Sequence, residues 1–186
     1  MTQAIQGEAP RSDLELELRR AIRDVPDFPR PGIVFKDITP LLADARLFAT
    51  ATKAMAAPFA ALGVTHVVAI ESRGFILGAP VAQELGAGFV PVRKPGKLPW
   101  RTQGEDYELE YGTDRLEVHA DACGDVRARA LIVDDVLATG GTADATRRLI
   151  EKLGADVVGF SFLVALSFLL GLQRLGARDV RALITY

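Results

Sequence analysis

Cysteine, histidine and tryptophan are nearly absent from this 186-residue chain, which holds one Cys, two His and one Trp. A single thiol, Cys123, cannot close an intrachain disulfide. His66 and His119 stand apart, and with one cysteine they form no cluster at metal-ligand spacing, so no metal held by protein ligands alone is expected. An excess of one charge is also lacking. The net charge of -2 gives no general attraction to nucleic acid or to an anionic membrane, and any polyanion site must be local. The longest apolar run, GFSFLVALSFLLGL from Gly159 to Leu172, contains two serines and falls short of the roughly 20 residues that span a bilayer. The opening MTQAIQGEAPRSD has no apolar core of the signal-peptide kind, so a cytoplasmic location is expected. The GxGxxG dinucleotide fingerprint and the glycine-flanked serine of hydrolases are absent too, which argues against both classes.

What is present suits one globular domain: 49% of residues are hydrophobic and 25% charged. Leu14, Leu18 and Ile22 recur every fourth residue behind Ser12, which predicts a capped amphipathic helix. The next stretch, DVPDFPRPGIVFKDITPLL, carries four prolines and is expected to run as turns and short extended pieces. A second helix is expected from about Arg46 to Leu62, bent or ended by Pro58. Then apolar strands alternate with helices. THVVAI, GFVPVRKPG, RALIVDD and DVVGFSFLVAL read as strands, while FILGAPVAQELG and ADATRRLIEKLGA have helical spacing. The polar segment between them predicts a long mobile loop from Lys97 to Asp106. The pattern implies an α/β fold, a mostly parallel central sheet with flanking helices on both faces.

The strongest chemical signal is VDDVLATGGT, Val133 to Thr142. It sets two carboxylates at the carboxyl end of a buried strand, followed by a loop of hydroxyls and glycines and then a helix, which is where open parallel sheets bind ligands. Gly140 and Gly141 allow close backbone approach, and their N–H groups with the Thr139 and Thr142 hydroxyls can donate to a phosphate at a helix amino terminus. No lysine follows the glycines, so this is a monophosphate cradle and not a triphosphate-wrapping loop. Asp134 and Asp135 can accept from vicinal hydroxyls. As an isolated pair they would merely solvate a strand end.

Residues Ile132 to Thr142 resemble the phosphoribosyl pyrophosphate signature of the type I phosphoribosyltransferases. DFPRPGIVFKDITPLL, ESRGF, RKPGKLP and ELEYG are similar, in order and spacing, to the adenine-using members of that family. The resemblance runs from Leu14 to about Leu166 and implies a single type I phosphoribosyltransferase domain with a mobile loop. A small amino-terminal hood, about residues 24–42, would bind the base. It implies transfer of phosphoribose from phosphoribosyl pyrophosphate to adenine, giving AMP and pyrophosphate in purine salvage, with magnesium carried on the pyrophosphate. A homodimer, with no nucleic-acid or membrane partner, is expected.

The resemblance also assigns residues. The 5-phosphate is expected in the loop Ala138, Thr139, Gly140, Gly141 and Thr142, and the ribose hydroxyls on Asp134 and Asp135. Pyrophosphate falls to the turn Glu71, Ser72 and Arg73, whose arginine fork suits phosphate oxygens, and to Arg93, Lys94 and Lys97. Taken alone, Arg73 could be a surface turn and the basic run a solvated face. Glu110, nearest the purine in the family, and Arg73 are the expected catalytic residues, although Glu108 and Glu110 also fit one solvated strand face. Val34 would present backbone donor and acceptor to the adenine edge, Phe35 would stack, Lys36 would lie beside the ring and Val136 would close its other face. Lys36 stands where arginine is frequent in relatives and Val136 where leucine is common. After DVVGFSFLV, Ala165 and LSFLLGLQRL replace an acidic residue, a glycine and a basic helix, so the resemblance weakens there. A phosphoribosyl pyrophosphate-binding regulator would require an output surface, and no helix-turn-helix or basic stripe is found. An enzyme of the same fold using xanthine, guanine or orotate is the other alternative.

Overall fold

Ser12 opens the first helix as the leucine spacing requires: its hydroxyl accepts the Glu15 backbone N–H at 3.1 Å, and α1 runs Asp13–Arg20. The computed structural model describes residues 12–109, 112–124, 127–176 and 178–186, and the chain divides into two compact units, Met1–Phe48 and Ala49–Tyr186. In the first unit, Asp13 and Glu15 in the opening turn of α1 and Arg19 and Arg20 in its last complement the helix dipole. The proline-rich stretch then forms β1 (Arg23–Pro26) and β2 (Val34–Asp37), paired antiparallel with Pro26 opposite Val34. A short helix, α2 (Thr39–Ala43), appears where only turns and extended pieces were expected. Pro40 lies in its first turn, where the missing N–H has no helical acceptor anyway. Asp44 accepts the Arg46 and Leu47 N–H groups and so starts α3 (Ala45–Ala56). A 3-10 turn at Ala57–Phe59 containing Pro58 follows, as the proline predicts.

The second unit is built on β3 (His66–Ile70), α4 (Arg73–Leu85), β4 (Gly88–Val92), β5 (Thr102–Leu109), β6 (Gly112–His119), β7 (Arg129–Leu137), α5 (Gly141–Lys152), β8 (Asp156–Ala165), α6 (Gly171–Leu175) and β9 (Val180–Thr185). Five strands form a wholly parallel sheet in the order β4-β3-β7-β8-β9. Strand alternation gives it two apolar faces. Val68, Ile70, Ile132, Phe160 and Phe162 share one core with Leu149 and Ile150 of α5. On the other, Gly78 of α4 comes so near Ala69 that a Cβ there would stand 2.6 Å from the alanine methyl, and Phe59 fills the space a Cβ on Gly159 would need. Phe160, Ile132 and Leu149 are wholly buried, each adding about 2 kcal/mol of hydrophobic stabilisation.

The expected long loop at Lys97 to Asp106 is corrected by this structure. From Thr102 onward the chain is β5, paired antiparallel with β6 along its whole length from Thr102 opposite His119 to Leu109 opposite Gly112. The segment is polar because its partner supplies the apolar face: Leu116 and Val118 of β6 are buried with Tyr107. Gly104 leaves room for a guanidinium, since a Cβ there would stand 2.2 Å from the Arg115 side chain. Arg115 in turn pairs with Asp106 at 2.9 Å.

The hairpin is tied to α5 through Glu105, which accepts from Arg148 at 2.7 Å and pairs with Lys152. The Lys152 hydrogen bond, against the upward pull of burial and with help from Arg148, holds the Glu105 carboxyl below its ordinary range. A depressed folded pKa stabilises above the unfolded value, about 4.3, and that stabilisation is lost as pH falls through the lower folded value. Amide-exchange protection across Thr102–Leu109 should therefore fall in acid below about pH 4. In Glu105→Gln it should be reduced already at neutral pH, and protection equal to the wild type would contradict the tether.

Candidate active site

The carboxyl ends of β3 and β7 lie side by side, because these strands pair directly from His66 opposite Ala130 to Ala69 opposite Val133. That adjacency brings the turn Glu71, Ser72 and Arg73 to the acidic pair Asp134 and Asp135. The Glu71–Ser72 peptide is cis. Arg73, the first residue of α4, pairs through Nε with Asp135 Oδ2. Gly74 makes the approach possible: a Cβ on it would stand 2.7 Å from Asp134 Oδ1 and 3.2 Å from the Val133 carbonyl. Asp135 is 6% exposed, and its backbone N–H donates to Asp134 Oδ1 at 2.9 Å. Burial and then the Asp135 charge push the Asp134 carboxyl well above its ordinary range.

The loop after β7 has the form expected of a phosphate cradle. Ala138, Thr139, Gly140, Gly141 and Thr142 line a cleft of about 70 Å³ together with Asp134, Val136 and Phe162. Gly140 takes a left-handed backbone, φ +77°, and Gly141 begins α5, so the cleft lies at a helix start, where backbone N–H groups suit an anion. The loop rests on the amino end of α6. A Cβ on Gly171 would stand 2.2 Å from the Ala138 carbonyl, and one on Gly140 would stand 2.8 Å from the Gly171 carbonyl. Gly171 lies where the resemblance weakens, and its only sequence signal is a glycine interrupting the apolar run LLGL. Gly74 was in view within ESRGF, but its role depends on a partner sixty residues away.

The cationic residues are held on carboxylates. Glu71, with a side chain 7% exposed, accepts Arg93 Nε at 2.8 Å and Lys97 Nζ at 2.9 Å. Burial alone would raise the Glu71 carboxyl, but the hydrogen bonds from Lys97, Arg93 and the Lys94 backbone hold it below its ordinary range. Lys94 pairs with Asp114 Oδ2 at 2.9 Å, and that hydrogen bond raises its pKa. Tyr107 OH donates to the same Asp114 oxygen at 3.2 Å and also interacts with the Thr142 side chain, joining the hairpin to the phosphate loop. Tyr107, Asp114 and Glu105 carried no distinguishing pattern in sequence, because each acts through a cross-strand or helix partner. Glu110 lies outside the described residues.

In the amino-terminal unit, Val34, Phe35 and Lys36 occupy successive positions of β2. Val34 is half exposed, Phe35 meets Phe28 edge-on with ring centroids 5.2 Å apart, and Lys36 Nζ pairs with Asp24 at 2.6 Å.

A family model described as a phosphoribosyl transferase domain matches residues 45–167. A relative named adenine phosphoribosyltransferase, from Myxococcus xanthus (strain DK1622), is 59% identical over 173 residues, 93% of this chain and 94% of that protein. The crystal structure of adenine phosphoribosyltransferase from Rhodothermus marinus DSM 4252 is 53% identical, with a TM-score of 0.88, covering 93% of this chain and 98% of that one. The Saccharomyces cerevisiae adenine phosphoribosyltransferase, complexed with D-2,5-dideoxy-2,5-imino-altritol 1,6-bisphosphate and adenine, is 38% identical with a TM-score of 0.83. It covers 91% of this chain and 98% of that one.

The backbone contact at Gly171 generates a test. Gly171→Ala should displace the phosphate loop and weaken ribose 5-phosphate binding on the order of tenfold to a hundredfold, read by titration calorimetry. Unchanged affinity would show that α6 does not support the loop.

Proposed function

This chain belongs to the adenine phosphoribosyltransferases of the phosphoribosyl transferase family, and on that premise we propose how its residues divide the work of joining adenine to phosphoribosyl pyrophosphate. The reaction yields AMP and pyrophosphate and makes the chain a pentosyltransferase of purine salvage. The observation that carries the assignment of residues is the acidic pair adjoining the phosphate loop at the end of β7. Ala138 to Thr142 seat the 5-phosphate on backbone N–H groups at the start of α5, and Asp134 and Asp135 receive the ribose hydroxyls. Arg73 serves both sides: it neutralises Asp135 and brings positive charge to pyrophosphate. Arg93, Lys94 and Lys97 supply the rest of the positive charge.

At the anomeric carbon the bond to the pyrophosphate oxygen breaks, and that oxygen keeps the electron pair. Adenine N9 forms the new bond from the opposite face, and its proton passes to a base. Glu110 is the proposed acceptor. The remaining contribution is positioning and charge stabilisation. Val34 offers its backbone to the 6-amino edge, with Phe35 and Lys36 against the ring and Val136 on the opposite side. Residues 24–42 are the base-binding hood of a single phosphoribosyltransferase domain.

The donor set fits a magnesium ion carried on the substrate. Asp134 is pushed toward its protonated form by burial and by its acidic neighbour, a condition that a cation relieves. Among the described residues no group of three or more His, Cys, Asp or Glu could hold a metal, so such an ion would take most of its oxygens from substrate and water. When bound, it supplies neutralisation of charge on the departing pyrophosphate. No helix among the described residues is long and apolar enough to cross a membrane. A cytoplasmic homodimer without nucleic-acid partners is the proposed setting.

Incubation with phosphoribosyl pyrophosphate, magnesium and each of adenine, guanine, hypoxanthine, xanthine and orotate should release pyrophosphate with adenine alone, matched by AMP. Release with another base would reassign specificity, and substrate binding without release from any base would make the chain a sensor. Glu110→Gln should lower kcat by about a hundredfold with little change in adenine KM, and an unchanged kcat would remove Glu110 from the chemistry.

A further inference from the structure

A carboxylate in a turn that receives pyrophosphate requires an explanation, since it can donate nothing to an anion. The Glu71 side chain is 7% exposed, while those of Arg93 and Lys97, which it holds on separate oxygens at 2.8 and 2.9 Å, remain 34% and 50% exposed. The negative charge therefore lies behind two cations that keep an outer face open. The segment carrying them has further ties. Arg93 and Glu117 exchange backbone hydrogen bonds at 2.9 and 2.7 Å, Gly96 N–H donates to Glu117 Oε2 at 3.2 Å, and Arg93 Nη1 donates to the Lys97 carbonyl at 3.2 Å. Glu71 accepts the Lys94 backbone N–H as well, so it shares in holding this turn while setting the side-chain charges of Arg93 and Lys97.

We propose that Glu71 is a positioning residue that competes with pyrophosphate for Arg93 and Lys97, weakening the hold on the product and returning the two cations to a fixed place when it leaves. This rests on the reading of Arg93 and Lys97 as the pyrophosphate site. Two cations without a counter-ion would bind substrate and product pyrophosphate alike more tightly, which lowers KM without speeding the chemical step and slows release. The internal carboxylate cancels half of their charge while the site is empty and competes for the same donors when it is filled. Asp114 stands in the same relation to Lys94, which it holds at 2.9 Å with a side chain 22% exposed.

The competing explanation, a scaffold role, predicts the opposite sign, so one measurement separates them. Pyrophosphate with magnesium is titrated into the wild type and Glu71→Gln, and its inhibition constant against phosphoribosyl pyrophosphate is measured in parallel. Glu71→Gln should bind pyrophosphate about tenfold more tightly, the size expected for removing one charge several ångströms away at partial exposure, and should turn over more slowly in steady state. Asp114→Asn should shift pyrophosphate affinity in the same direction, which keeps the test open if one variant folds poorly. Equal or weaker pyrophosphate binding in folded Glu71→Gln overturns the proposal. Wild-type protein that makes no AMP from adenine overturns the underlying reading of the site instead.

Discussion

Two adjacent carboxylates at the end of a buried parallel strand repel each other, and the active-site half of this molecule is arranged around that repulsion. Asp135 is nearly buried and Asp134 is pushed toward protonation by its surroundings. The partner that offsets their charge, Arg73, comes from the start of α4 and reaches Asp135 only because Gly74 leaves no Cβ to strike Asp134. The same contact sets the turn at Glu71 to Arg73 beside the acidic pair. Charge compensation and close backbone packing are here one feature, which brings the turn after β3 and the loop after β7 to the same end of the sheet.

A similar economy governs the cations. Arg73, Arg93, Lys94 and Lys97 are each held by a carboxylate, on Asp135, Glu71 or Asp114. In a chain with net charge near zero, local acids hold these four positive side chains in place. The hairpin β5–β6 takes part, since Asp114 and Tyr107 link the Lys94 side of the site to Thr142 and the phosphate loop. Glu105 ties the same hairpin to the helix that carries that loop.

The sheet was legible in the sequence because β3, β7 and β8 are buried on both faces and read as unbroken apolar runs. The helices α4 and α5 showed helical spacing and a glycine stop, and Gly86 does take the left-handed cap. The acid pair and glycine loop were legible for a chemical reason, since few other arrangements place such residues at a strand end. β5 was hidden because Tyr107 is the one buried residue among its described side chains, and its apolar face is completed by Leu116 and Val118 of the partner strand. Gly171, Glu105 and Asp114 were hidden for a related reason: each works on a residue distant in sequence, and a single chain carries no mark of that pairing. The pairing of Glu71 is of the same kind, for Arg93 and Lys97 were read as pyrophosphate ligands and not as partners of a carboxylate.

The most direct test of the acid pair's role is proton release on binding magnesium phosphoribosyl pyrophosphate. It is measured by calorimetry at mildly acidic pH in buffers of different ionisation enthalpy, for the wild type and for Asp134→Asn. An Asp134 carboxyl held toward its protonated form until a cation arrives predicts that the wild type releases protons that the asparagine variant does not. Equal release from both proteins would show that Asp134 is already ionised in the free site, and the repulsion around which this account is built would not be there.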